Sequence, residues 1–122
     1  MRPEEILKLW HKYFNEKNIS KIVNLYDKES ILFPTFSDQM ISDREKIEEY
    51  FFKVLIEEKV SVKIFFDSVK VKRYGVNFSL LSGNYIFIFN AKKKIQARFT
   101  FFISPSSNHP IKHHHSSRVP ND

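Results

Sequence analysis

The feature that most constrains this chain is a change of hydrophobic period near residue 58. Before it, apolar residues recur every three or four positions; after it, they mostly alternate. Side chains three or four apart share a helix face, whereas residues two apart share a strand face, so the chain reads as helices followed by sheet. In the first half, Ile6, Leu9, Trp10, Tyr13 and Phe14 form one helical stripe, with Pro3 suited to the first turn. A short second helix fits Ile19 to Tyr26. The segment "LYDKESILFPTF" reads as a strand closed by Pro34. Ser42 or Asp43 suits the N-cap of a third helix that carries Ile47, Tyr50, Phe51, Val54 and Leu55.

The second half holds four alternating segments. "VSVKIFFDSVKVKRY" alternates with an irregularity near Phe66 and Asp67, and Gly75 punctuates a turn. "VNFSLLSGNYIFIFN" and "KIQARFTFFIS" follow, joined by a lysine-rich turn; "SPSSN" is turn chemistry and "PIKHHHSS" the last strand. The expected class is α+β: three N-terminal helices on a curved antiparallel sheet, a cone whose open end is a natural pocket. No repeat or linker interrupts residues 1–122, which read as a single domain.

Composition narrows the function classes. The absence of cysteine removes disulfides, thiolate metal sites and redox dithiols, and no glycine-rich dinucleotide loop is present. No apolar run approaches the roughly 20 residues that span a bilayer, and "MRPEEILKLW" lacks a signal-peptide core, so a soluble, cytoplasmic protein without membrane contact is expected. Thirteen of the 14 acidic residues fall within residues 1–67, while nine of the 20 Lys and Arg follow Val69. The second half is thus cationic and suited to anions, although Lys70, Lys72 and Lys92 to Lys94 also suit edges and turns that resist strand aggregation. Nucleic acid is not an expected partner, because no exposed aromatic array suits base stacking.

The motifs "W..YF", "I..LYD", "REKIEEYFFKVL", "LLSGNYIF", "ARFTFFI" and "HHHSSRVP", in this order, resemble a bacterial family of the nuclear-transport-factor-2-like (cystatin-like) superfamily, similar to the association domain of calcium/calmodulin-dependent protein kinase II. The resemblance implies a cone-shaped α+β barrel, a dimer or higher oligomer built through the sheet, and a pocket lined by the sheet's inner face. The chain departs from the family pattern at "SPSSNHPIK", where relatives carry Gly and Trp; Pro110 cannot donate to a ladder, so the last strand is expected to start frayed or on an edge.

Six residues stand out as candidate ligand contacts: Tyr85, Arg98, Thr100, His113, His114 and His115. In a strand, His113, His115 and Ser117 face one way and His114 and Ser116 the other. The histidines suit metal ligation, hydrogen bonding within the sheet, or pocket lining near neutral pH. No carboxylate between Val69 and Asn121 is available as a further ligand, so neither a metal nor a cofactor is expected. On "IQARFTFFI", Gln96, Arg98, Thr100 and Phe102 grade from polar to apolar, opposite a uniformly apolar face of Ala97, Phe99, Phe101 and Ile103. Arg98 is expected to point into the cone and hold a carboxylate, with a surface pairing to Glu48 or Glu49 as the other reading. Tyr85 shares a face with Phe87, and Gly83 leaves room for close approach. Two functions follow: an oligomerising module that binds a small anion, or an acid–base isomerase, dehydratase or cyclase with a carboxylate from residues 1–67, such as Asp27, Asp38 or Asp67.

Overall fold

The computed structural model describes residues 1–120. Helix α1 spans Pro3–Asn15, α2 spans Ile19–Asn24 and α3 spans Arg44–Phe51, continuing as a π-helical segment Phe52–Glu57. Strands β1 (Tyr26–Phe33), β2 (Val60–Tyr74), β3 (Phe78–Phe89), β4 (Lys93–Ile103) and β5 (Ile111–Arg118) form one sheet in the order β1-β5-β4-β3-β2. The α+β layering expected from the period change is present.

Local chemistry sets the ends. Pro3 opens α1 and Glu4 and Glu5 occupy its first turn, where carboxylates complement the helix dipole. Asn18 caps α2 by accepting from the Lys21 amide, and Asp43, rather than Ser42, caps α3 by accepting from the Glu45 amide at 2.8 Å. Lys17 sits in the left-handed region at φ 59° between α1 and α2. The expected second helix stops two residues early: Tyr26 begins β1, and the Ile111 amide donates to the Leu25 carbonyl at 2.9 Å.

All strand pairs are antiparallel except β1 with β5, which run parallel with Leu32 opposite His114. The expectation for the last strand is corrected. β5 lies inside the sheet between β4 and β1, and its start is anchored: the Pro110 carbonyl accepts from Ser104 N at 2.8 Å, and His109 Nδ1–H donates to the Asn24 carbonyl at 2.7 Å. The irregularity in β2 lies between Phe65 and Lys70, where Ser68 Oγ donates to the Phe65 carbonyl and accepts from the Asn84 amide.

The helices cover one face of the sheet. Ile6, Trp10 and Phe14 of α1 and Ile47 and Phe51 of α3 bury against Leu81, Tyr85 and Phe87 of β3 and Ala97, Phe99 and Phe101 of β4. Both edges also receive cover. At the β2 edge, the Asn15 side-chain amide exchanges two 2.8 Å hydrogen bonds with the Val62 backbone, and Lys17 Nζ donates to the Val60 carbonyl. At the β1 edge, Ile41 pairs with Leu32 through two backbone bonds of 2.8 and 2.9 Å. Unpaired backbone groups at these stretches are therefore not free to recruit another strand.

Candidate functional site

The six candidate residues separate onto the two faces of the sheet. Tyr85 and His114 point inward under the helices; Arg98, Thr100, His113 and His115 point outward. The expectation that Arg98 enters the cone is corrected. The uniformly apolar set Ala97, Phe99, Phe101 and Ile103 takes the helix-covered face, because burying it removes the most apolar area from water, and period-two alternation sends Arg98 the other way. Neither Glu48 nor Glu49 pairs with Arg98 among the described residues.

Inside, a hydrogen-bonded chain joins four elements and a loop. Trp10 Nε1–H donates to the Tyr26 hydroxyl at 3.0 Å, which lies 2.8 Å from His114 Nδ1. His114 Nε2 lies 3.2 Å from the Tyr85 hydroxyl, which donates to Ser116 Oγ; Ser116 Oγ in turn meets Thr35 Oγ1. These partners fix the tautomer. The single hydroxyl proton of Tyr85 goes to Ser116, so Nε2 must carry the proton it shares with Tyr85, and Nδ1 accepts from Tyr26. The imidazole stacks on Phe101 with centroids 3.8 Å apart and meets Trp10 edge-on. Burial holds the His114 pKa well below its ordinary value, with smaller contributions from His113 and His115. Burial likewise raises the Tyr26 and Tyr85 hydroxyls well above theirs.

This interior is packed rather than open. Thr35, Tyr50, Tyr85, His114 and Ser116 border a cavity of about 20 Å³, enough for one water and far below the several hundred Å³ of a small-molecule site. Both nitrogens of His114 are occupied, so it has no lone pair to take a proton from a substrate. No Asp or Glu is among the buried residues described, and among the described residues no group of three or more His, Cys, Asp or Glu is placed to hold a metal ion. The carboxylate that acid–base chemistry would pair with the histidine is thus not beside it.

Outside, a groove of about 450 Å³ runs across β5, β4, β3 and β2. Its register explains its content: Arg98 pairs with Asn84 and Ser117, and Thr100 with Ser82 and His115. Ser82 Oγ and Thr100 Oγ1 lie 3.1 Å apart. Lys70 enters from β2 beyond the bulge, opposite Ser82. His115 stacks on Phe33 at 5.0 Å, and His113 packs against the same ring, with burial and His115 lowering the His113 pKa. Ser82 and Asn84 are not singled out by the sequence reading, which places Lys70 only among the edge lysines and Ser117 only on the strand face of His113 and His115. The signal for Ser82 and Asn84 was the lysine-rich turn, which fixes Asn84 opposite Arg98 once the two strands are folded on it.

The comparisons agree with this architecture. Residues 3–120 match the family model described as calcium/calmodulin dependent protein kinase II association domain. A protein of Xanthomonas campestris, described as a candidate member of that same domain type, superposes with a TM-score of 0.82 at 28% identity, over 95% of this chain and 84% of that one. An uncharacterized cystatin-like protein of Caulobacter vibrioides gives 0.80 at 9% identity, covering 98% and 88%. A candidate dehydratase of the NTF2-like family from Streptomyces avermitilis gives 0.81 at 11% identity, covering 97% and 94%. The latter two show the fold alone. Among curated proteins, none matches this sequence.

Proposed function

The chain belongs to the calcium/calmodulin dependent protein kinase II association domain family, and from that premise we propose that it is a self-associating module whose outer sheet face meets a second copy and holds a small anion, a carboxylate by preference. The observation that carries the reading is the state of that face. Phe33, Phe78 and Phe65 remain 36%, 39% and 41% exposed, while Val60 and Val62 on the β2 edge and Leu32 on the β1 edge are engaged by the chain itself. Phe78 stacks on Phe102 at 5.1 Å, and Leu80 and Ile86 stand on the same face of β3. Exposed aromatic rings grouped on one sheet face mark an interaction site. Association of identical copies through one and the same face gives a symmetric pair.

Arg98, with Thr100 and His115 beside it, is the anion-holding part, and His113 flanks it next to Phe33. Tyr85 and His114 have a different part in this reading: they hold the interior rigid behind the face. The acid–base enzyme alternative finds no support in an interior with a doubly bonded imidazole and room for one water. No helix among the described residues is long and apolar enough to cross a membrane.

The test is sedimentation of the parent and of Phe102→Lys, with circular dichroism to confirm folding. The parent should sediment as a dimer or larger at micromolar concentration and the variant as a folded monomer. A parent that is monomeric throughout this range in chloride, succinate and phosphate alike contradicts the reading.

A further inference from the structure

Association through the outer face must overcome a charge imbalance. Cross-strand partners share a face, so Lys63, Lys70 and Lys72 of β2 stand with Lys94 and Arg98 of β4 on the outer side. Strands β3, β4 and β5 contain no Asp or Glu at all. On the neighbouring strands, Asp67 lies in the β2 irregularity, Asp27 of β1 is engaged by Lys112 at 3.2 Å, and exposed Glu29 lies on the outermost strand, away from the groove. Two such faces brought together would set cations against cations at their centres.

The groove lies at that centre. Its walls combine Arg98 and Lys70 with the neutral donors Ser82, Asn84, Thr100 and Ser117. Among the described residues, neither Arg98 nor Lys70 has a carboxylate within ion-pair distance. We propose that this groove is an oxyanion site completed by a second copy: a small carboxylate or phosphate lies on Arg98 and Lys70, and becomes enclosed only when the two outer faces meet. The inference rests on the reading of this face as the association surface, and adds that anion binding and association are coupled.

The physical reasons are direct. On an isolated copy the groove is open, and exposed cations in salt solution hold an anion weakly. Packing a second copy over the face excludes water and brings a second set of cations to the same place, which strengthens each contact with the anion. The planar guanidinium fork and the flanking hydroxyls suit an oxygen-bearing anion better than chloride. Without the anion, the same desolvated cations oppose association. Linkage then requires that whatever the anion contributes to association, association contributes equally to anion affinity.

The experiment is sedimentation equilibrium of the full chain in chloride, sodium succinate and sodium phosphate at matched ionic strength. The variants are Arg98→Lys, Arg98→Ala and, as a control on the helix side, Lys12→Ala. In the parent and in Lys12→Ala, succinate or phosphate should tighten association about tenfold or more relative to chloride, within the usual range of coupling between sites. Arg98→Ala should lose that dependence and Arg98→Lys keep part of it. Succinate acting alone assigns the site to carboxylates; phosphate acting alone assigns it to phosphate groups. Association of equal strength in all three salts, or an anion dependence that Arg98→Ala leaves intact, overturns the inference while the self-association reading stands. A chain that is monomeric in every salt overturns both.

Discussion

The Tyr26 hydroxyl lies 2.8 Å from Nδ1 of His114, 88 positions along the chain, and also accepts from Trp10 Nε1–H at 3.0 Å. One oxygen thereby ties α1, β1 and β5 together at full burial. Tyr26→Phe removes it and leaves two buried nitrogens without a partner. The expected loss is about 1–3 kcal/mol for each orphaned group, read as a lower urea midpoint with an unchanged slope. A midpoint within error of the parent would mean that the hydroxyl contributes nothing net.

The same histidine sets a pH dependence. Burial keeps its folded-state pKa below the ordinary 6.5, so as pH falls the unfolded chain takes up the proton first. Stability is therefore full above about pH 6.5 and declines below it, by up to about 1.4 kcal/mol per pH unit for one proton. His113, also lowered, acts in the same direction. Urea unfolding at pH 7.5, 6.0 and 5.0 should show this decline, and His114→Asn, although less stable, should show a shallower one. Parallel pH profiles in parent and variant would contradict the assignment.

Gly83 marks a third position where packing decides. A Cβ there would stand 2.9 Å from Phe99 Cζ and 3.1 Å from Ser68 Oγ. Gly83→Ala should cost about 1–3 kcal/mol by overpacking. Phe99→Leu should recover part of that loss in the double variant, because residues in contact couple. Additive losses would place the cost in the backbone rather than in the ring.

Much of the fold was legible because its two periods are local signals. The stripe Ile6, Trp10 and Phe14 and the alternation Ala97, Phe99, Phe101 each declare a face within a few residues. Tyr26 was harder to place. It continues the spacing of Ile22 and Val23, and only the pairing with Ile111, far along the chain, makes it a strand residue. The parallel pairing of β1 with β5 has no local signature for the same reason. The direction of Arg98 is not legible locally: a face graded from polar to apolar suggests a pocket wall, yet the helices take the face that buries more apolar area. The alternation of His113, His114 and His115 could be read directly. That His114 would meet two tyrosines could not, since this depends on the registers of three strands at once.

Spin-label distances decide whether copies meet through the outer sheet face. The chain has no cysteine of its own, so Gln96→Cys on the outer face and Lys12→Cys on α1 each introduce a single label site. In the associated protein, labels at residue 96 should lie closer to each other between copies than labels at residue 12. A shorter distance at residue 12, on the helix side, would contradict it.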